Sequence, residues 1–370
     1  MRRNKFWLSL LPFYFLVMCF SAGAQLPPAQ PDPLARIREA APTNAPACSV
    51  TGESLCEQVA PKIIANAQGE SPLAKNLRRL TNEGGGRTGG ARAVESAVDW
   101  GVSAFGEAGL AVHIDKYAIS TKSLATEQEN VVAEIRGREK PEEWVLLGAR
   151  LNSCEPRAED LNNGCSAALV VEAARDILLT GIRPRRSIRF VLFTGEAQEM
   201  LGSWAYVRAH RSELDHASAV IILDGRIGRV NGFMLNGRRD IEAGVREALK
   251  PLELWGVTKH VIDAPLGMDN FDFLLQGVPT LIANQEKVNS LPNDDPASDT
   301  FSKVDVQQLK RNTAIAAVAV FGIAENALPL GSRQSRGEIQ ILLKTSGLGE
   351  QMKVAGLWPL WESGERGQVP

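Results

Sequence analysis

Three short apolar runs, separated by helical patterns, constrain the fold of this chain most strongly. They are EWVLLGARL at 143–151, SIRFVLFTG at 187–195 and AVIILDG at 219–225. Such runs are typical of buried strands, and the first reads as buried on both faces. Their alternation with helices predicts a three-layer α/β/α sandwich around a central mixed, largely parallel sheet. The functional crevice of such a sheet lies beyond the carboxyl ends of the strands, where Arg150, Glu196 and Asp224 stand.

The remaining periodic segments supply the helices and outer strands. Residues 92–110 place apolar side chains on one stripe at helical spacing and end at Gly109. A loop is expected from Asn152 to Gly164, and a further helix begins near Ala197. Strands are expected at AVHIDKYAI, NVVAEIRG and VPTLIAN, and helices at SAALVVEAARDILL, FDFLLQG and VQQLKRNTAIAAVAVFGIAEN.

The N-terminus has the pattern of a secretory signal peptide. A basic start, MRRNK, precedes an almost wholly apolar run at 6–20, and Ala22-Gly23-Ala24 offers a cleavage site. The alternative, a membrane anchor, is disfavoured because a spanning helix needs about 20 apolar residues. The sequence therefore predicts a secreted or periplasmic protein with no membrane span after cleavage, and Cys19 belongs to the discarded segment.

Composition sets the domain boundaries and excludes one class of partner. Loss of residues 1–24 removes three basic residues and no acidic one, which leaves 38 Lys and Arg against 43 Asp and Glu. This net charge of −5 does not suit nucleic-acid binding. We predict a proline-rich linker at 25–47, one α/β domain at 48–326, and a C-terminal tail at 327–370 whose apolar residues suit docking on the domain or on a partner.

Four cysteines remain after cleavage, in two close pairs. In an oxidising compartment the simplest interpretation is two local disulfides, Cys48 with Cys56 and Cys154 with Cys165. Crossed pairing and free buried thiols are the alternatives. Peptide mapping under non-reducing conditions should show both short-range bonds, and free thiols or crossed bonds would contradict the expectation.

Several motifs in a fixed order resemble the family-28 metallopeptidases, the co-catalytic di-zinc aminopeptidases and carboxypeptidases. They are GGRTGG at Gly85–Gly90, AVDWGVSAFGEAGL, NVVAEIRGREKPEEWVLLGA, RSIRFVLFTGE, LGSWAYV, GVPTL and SDTFSKVD. The resemblance runs from about Ser71 to Glu325. It implies the zinc-exopeptidase fold, two zinc ions and hydrolysis of terminal residues from peptides.

The resemblance also implies metal ligands, and several of them are replaced. Where the family has a zinc-binding His and the Asp that orients it, GARLNS carries Arg150 and Asn152. Where the family has a carboxylate bridging both metals, DLNNG carries Asn162, a weak neutral ligand. The charge of Arg150 suits pairing with Asp224 or Glu196, although a solvated surface arginine is the simpler alternative.

The other family positions are partly intact. In TGEAQE, Glu196 holds the general-base position, but Ala197 has no ligand atom. Asp224 matches a ligand, and Asp295 falls near the last ligand position by spacing. The four histidines read as surface or core residues: His113, His210, His216 and His260. At best two of five ligand positions can bind a metal, so we expect no metal cofactor.

Two functions follow from this pattern. The first is an exported, inactive peptidase-like protein whose crevice binds a peptide or another protein. The second is a working metal-dependent exopeptidase in which Glu196 remains the general base and Asp224 a ligand. The set of metal ligands favours the first.

Overall fold

The structure is a computed structural model that describes most of the chain. The described residues are 55–83, 91–120, 125–151, 158–195, 200–223, 228–286, 301 and 304–364. The expected signal peptide, the linker, Cys48 and the motif Gly85–Gly90 lie outside them. Within the described residues, no helix has the length and apolarity needed to cross a membrane.

Seven strands form one mixed sheet. They are β1 Val112–Ser120, β2 Ala125–Ile135, β3 Lys140–Arg150, β4 Arg186–Phe193, β5 Ala217–Leu223, β6 Val230–Met234 and β7 Thr280–Gln285. Their order across the sheet is β1-β2-β4-β3-β5-β7-β6. The four inner strands β4, β3, β5 and β7 are parallel, whereas β1, β2 and β6 are antiparallel to their neighbours. The predicted sheet is thus confirmed, and β3 is its central strand.

Eleven α-helices lie within the described residues. They are α1 Leu55–Gln68, α2 Leu73–Arg78, α3 Ala91–Glu107, α4 Ala158–Leu178, α5 Leu201–Ala209, α6 Glu242–Ala248, α7 Phe271–Leu275, α8 Val306–Glu325, α9 Arg336–Thr345, α10 Leu348–Val354 and α11 Trp358–Glu362. Gly109, with φ of +90°, follows α3 as predicted. Asp305 caps α8 by accepting a hydrogen bond from the Gln308 N–H (2.9 Å).

Helices cover both faces of the sheet because β3 is apolar on both. Val145, Leu147 and Ala149 pack into a large core with α1, α3, α4 and α8. Trp144 and Leu146 point the other way, into a smaller core with residues from α5 and α7. This alternation is the period of two expected for a strand, and it produces the three layers.

Two predicted boundaries are wrong, and the C-terminal tail packs on the domain, which is one of the two possibilities that its sequence allowed. Helix α4 begins at Ala158, so the expected loop from Asn152 to Gly164 is shorter. The helix expected near Ala197 is described only from Leu201. Helices α9 to α11 form a third hydrophobic cluster against α7 and Met200. A capping box between Ser335 and Glu338 fixes the start of α9.

The described cysteines are buried. Cys56, on α1, is a free thiol whose Sγ lies 3.9 Å from the Ala248 carbonyl oxygen, and burial raises its pKa to about 12. Cys165 lies on α4. Their expected partners, Cys48 and Cys154, lie outside the described residues. The two disulfides therefore stay predictions.

A chain of charged side chains crosses the face of the sheet under α5. The Arg189 guanidinium, fully buried on β4, donates to Glu213 (2.5 Å) and to Glu134 (3.2 Å). His210 bridges Glu213 (3.1 Å) and Asp115 (2.9 Å). Burial alone would lower the pKa of His210, but these two carboxylates raise it to about 9. The network thus holds two buried cations among three carboxylates.

Helix α4 buries two acids one turn apart. Asp176 is 0% exposed and Glu172 1% exposed. The Arg175 guanidinium lies 2.8 Å from Glu172 but 3.5 Å from Asp176. Within the described part of the chain, neither oxygen of Asp176 has a hydrogen-bond partner. Burial, reinforced by the charge of Glu172, raises the pKa of Asp176 to about 8.

Asp176→Asn should stabilise the protein in a pH-dependent way. Below the usual aspartate pKa of 3.8 both states hold the proton, so burial of Asp176 costs little. As the pH rises to about 8, only the unfolded state releases the proton freely, and the free energy of unfolding falls. The variant should therefore gain stability on the order of 3 kcal/mol near pH 8 and little near pH 4. Urea unfolding across this range measures the gain, and the exposed control Asp263→Asn should show none. A constant gain at every pH would contradict the assignment.

Candidate functional site

Arg150 stands at the carboxyl edge of the sheet, in its centre. It is the last residue of β3, paired in register with Phe193 of β4, and the Leu151 N–H donates to the Phe193 carbonyl (2.8 Å). Arg150 is only 7% exposed. The alternative of a solvated surface arginine is therefore wrong, and a permanent cation lies buried at the carboxyl edge of the sheet.

The charge of Arg150 is neutralised by Asp269, a residue that the sequence motifs did not identify. Its Nε donates to Oδ2 of Asp269 (3.3 Å) and its Nη2 to the carbonyl of Gly267 (2.5 Å). Asp269 is 2% exposed; burial raises its pKa and the nearby guanidinium opposes that rise. Among the described residues, the ion-pair partner of Arg150 is therefore Asp269. The expected partners, Glu196 and Asp224, lie outside the described residues.

The segment 264–270, which carries Asp269, is braced by the C-terminal helices. The Gln351 side chain of α10 donates to the Ala264 carbonyl (3.2 Å) and accepts from the Leu266 N–H (3.1 Å). Leu266 packs against the cluster formed by α9 to α11. The tail at 327–364 is therefore part of the scaffold that presents Asp269 to Arg150.

The described residues on either side of 196–199, at the end of β4 and the start of α5, are held in a fixed geometry. Gly195 (φ +78°) and Met200 (φ 59°) both adopt left-handed backbone conformations. The Asn130 side chain accepts from the Thr194 N–H (3.1 Å) and donates to the Gly202 carbonyl (3.0 Å). A Cβ on Gly202 would lie 2.1 Å from the Thr194 carbonyl oxygen, so only glycine permits this approach. The residues before Glu196 and after Ala197 that the structure describes are thereby held in a fixed position.

The other predicted site residues are placed only in part. Asn162 lies in the first two turns of α4, because that helix begins before it, and its side chain is not described. Asn152, Glu196, Ala197, Asp224 and Asp295 lie outside the described residues. Strand β5 ends at Leu223, at the same sheet edge as Arg150.

The histidines lie where the sequence predicted, in the core and at the surface. His113 and His210 both contact Asp115 at 2.9 Å, His216 is exposed, and His260 stacks on Phe233. Within the described part of the chain, no group of three or more His, Cys, Asp or Glu side chains could hold a metal ion.

Arg150, the last residue of β3, is not suited to bind zinc. A guanidinium has no lone pair to donate and stays protonated, so Arg150 cannot replace the nitrogen of an imidazole ligand. Its side chain is already bound to Asp269 and Gly267. A cation beside Zn²⁺ would also repel it. The chemistry of this position is that of an ion pair.

Comparison with known proteins agrees with the fold and with the motifs. The family model described as Peptidase family M28 matches residues 130–320, just over half of the 370 residues. Carboxypeptidase Q of Rattus norvegicus is 29% identical over 216 residues, which cover 57% of this chain and 46% of the relative. The chain spans about half the length of the curated relatives it matches. Helices α9 to α11 follow the matched residues.

Two solved structures show the same architecture. A peptidase M28 precursor from Shewanella amazonensis has a TM-score of 0.66 at 17% identity, covering 76% of this chain and 99% of that one. A zinc aminopeptidase from Bacillus subtilis has a TM-score of 0.56 at 13% identity, covering 69% and 94%. At these identities the likeness shows the α/β sandwich alone.

Arg150→Ala should destabilise the protein strongly. The substitution leaves Asp269 buried with its ion-pair partner removed, and breaking such a pair costs about 3–5 kcal/mol. The control is Arg246→Ala, which removes the exposed pair with Glu242 (2.8 Å) and should cost less than about 1 kcal/mol. Denaturant unfolding measures both. Equal losses in the two variants would mean that the Arg150–Asp269 pair is not a buried interaction.

Proposed function

Since this chain belongs to peptidase family M28, we propose that it is an exported peptidase-like protein that binds a peptide or another protein in its crevice without metal and without hydrolysis. The observation that carries this proposal is the buried pair of Arg150 and Asp269 at the carboxyl end of β3. The family motif has a zinc-binding histidine at the place of Arg150. A guanidinium there supplies positive charge and no ligand.

Charge balance supports the interpretation. A site of several carboxylates is stable when two metal ions neutralise it, and it becomes costly when the metals are lost, because like charges then face each other away from water. This sequence has Asn162 and Ala197 at two family carboxylate positions and a cation at Arg150. These changes lower the negative charge of the crevice together, as a metal-free site requires.

The count of remaining ligands supports the same function. Each zinc in a co-catalytic site needs about three protein ligands and a shared water. The family positions still able to bind are Asp224 and Asp295, which can give one ligand each. Glu196 keeps the general-base position, but water without a metal has a pKa of about 15.7, too high for a carboxylate to deprotonate efficiently.

The rival function is a working exopeptidase. It draws support from the similarity to carboxypeptidase Q and from the retained Glu196 and Asp224. It requires a metal held by Asp224 together with ligands outside the family motifs. Metal content and turnover therefore separate the two functions directly.

The expected compartment follows from the N-terminal sequence. The basic start and the apolar run before Ala22-Gly23-Ala24 support export, to the medium or to a periplasm. An oxidising compartment would also allow the predicted disulfide between Cys154 and Cys165 to form. That bond would close the loop that the family anchors with metal ligands.

Protein purified without chelator should contain no stoichiometric zinc and should not hydrolyse aminoacyl anilides. The physical reason is the shortage of ligands, and elemental analysis together with a chromogenic assay measures both quantities. Two equivalents of zinc with measurable turnover would establish the exopeptidase function instead.

A restored variant provides the matched control. Arg150→His, Asn152→Asp, Asn162→Asp, Ala197→Glu and Asp295→His together rebuild the family ligand set, and this variant should bind zinc more tightly than the natural protein. If the natural protein binds two zinc ions and the restored variant does no better, the interpretation of these five positions is wrong.

A further inference from the structure

Arg311 is held rigidly at one end of the carboxyl edge of the sheet. This residue lies on α8, and its guanidinium stacks 4.8 Å above the Trp255 ring while Nη2 donates to the Trp255 carbonyl oxygen. A guanidinium fixed by stacking and by a backbone acceptor loses little further freedom when it binds an anion.

Arg229 lies against the same stretch of backbone. Its Nη2 is so close to Gly256 that a Cβ on that glycine would lie 2.9 Å away. Gly256 follows Trp255 directly, so both guanidiniums flank one peptide unit. The side chain of Arg229 belongs to an exposed residue, which keeps it accessible to a ligand.

The backbone around Arg229 is fixed on both sides. The buried Asn312 side chain donates to the Gly228 carbonyl (2.9 Å) and accepts from the Val230 N–H (3.1 Å). The Arg229 carbonyl accepts from the Glu286 N–H (2.9 Å). The arginine is thus presented by a rigid segment and not by a loose loop.

This pair belongs to the same sheet edge as Arg150. Val230, the first residue of β6, pairs with Gln285, the last residue of β7, and β7 runs parallel to the inner strands. The carboxyl end of β7 and the start of β6 therefore lie at the carboxyl edge, as Arg150 does. Arg229 also follows the end of β5 by six residues, with the segment that begins at Asp224 between them.

The two arginines form an unbalanced positive site. Burial first, and the neighbouring charge of Arg229 second, lower the pKa of Arg311, while Glu286 acts weakly in the opposite direction. Among the described residues, neither guanidinium has a carboxylate within the ion-pair distance of 4.0 Å. Two cations side by side repel each other, and an anion between them would remove that repulsion.

We propose that Arg229 and Arg311 bind a carboxylate group of the ligand in the crevice. This inference rests on the proposed function, which supplies a peptide as the ligand. A planar guanidinium matches a carboxylate in two parallel hydrogen bonds, and a peptide offers that group at its C-terminus or on Asp and Glu side chains.

The test uses three probes and the full-length protein. The peptides are N-acetyl-tetraalanine with a free C-terminus, the same peptide as its amide, and the amide with one alanine replaced by aspartate. Calorimetric titration at low ionic strength should show the free acid binding more tightly than the tetraalanine amide. Tight binding of the aspartate amide as well would assign the site to side-chain carboxylates, and weak binding would assign it to the C-terminus. Equal affinity of all three would overturn the proposal.

Variants locate the effect. Arg229→Gln should weaken the free-acid probe about tenfold and leave the tetraalanine amide unchanged, since it removes a charge-assisted hydrogen bond. Arg311→Lys keeps the charge but loses the planar geometry, and it should lose part of the preference. The control Arg239→Gln changes an exposed arginine beyond the other end of β6 and should have no effect. A full preference for the free acid in Arg229→Gln would also overturn the proposal.

Sodium acetate separates a failure of this site from a failure of the proposed function. Arginine Nε–Hε resonances report on acetate binding with no peptide present. If acetate shifts the signals of Arg229 and Arg311 but no peptide binds, the carboxylate site stands and the proposed function fails. If peptides bind and neither acetate nor a free carboxylate matters, the proposed function stands and the carboxylate site fails.

Discussion

A charged side chain that is buried away from water needs an opposite charge beside it. Arg150 places such a buried charge at the carboxyl end of the central strand, β3. Balance comes from Asp269, 119 residues later in the chain. Asp269 can reach Arg150 because segment 264–270 crosses to the carboxyl edge, and Gln351 of α10 holds that segment by two backbone contacts. The C-terminal helices, the crossing segment and the centre of the sheet thus form one mechanical unit around a single ion pair.

The same need for charge balance applies at two other buried sites, around Arg189 on β4 and at Asp176 on α4, and the outcomes differ. Arg189 is a second buried arginine, on the strand beside β3, and Glu134 and Glu213 balance it. Asp176 lies 3.5 Å from Arg175, but that guanidinium is closer to Glu172 (2.8 Å), and burial together with the charge of Glu172 raises the pKa of Asp176 to about 8. Arg189 is thus neutralised by two carboxylates, whereas Asp176, which shares one arginine with a second buried acid, keeps its proton to a higher pH.

The architecture was predictable because it depends on local patterns. EWVLLGARL alternates between two cores, so its apolar run could be recognised as a strand buried on both faces. The position of Arg150 in the crevice followed from the same argument. Asp269 could not be found in this way, because it precedes the short helix α7 and comes near Arg150 only through a crossing segment of irregular structure. A carboxylate just before FDFLLQG was the one signal available. The early start of α4 was missed because polar residues open that helix.

Two arginine sites lie along the carboxyl edge of the sheet, one at Arg150 and one at Arg229 and Arg311. They differ in whether a neighbouring carboxylate neutralises their positive charge. The charge of Arg150 is neutralised inside the fold, because Asp269 forms an ion pair with it and both side chains are almost completely buried. The pair Arg229 and Arg311 has no such partner among the described residues, and Arg229 faces solvent. A field that is not cancelled locally extends toward an incoming ligand, and low-dielectric walls focus it. Attraction for an anionic group therefore comes from the end of the sheet edge near β6, where Arg229 and Arg311 lie.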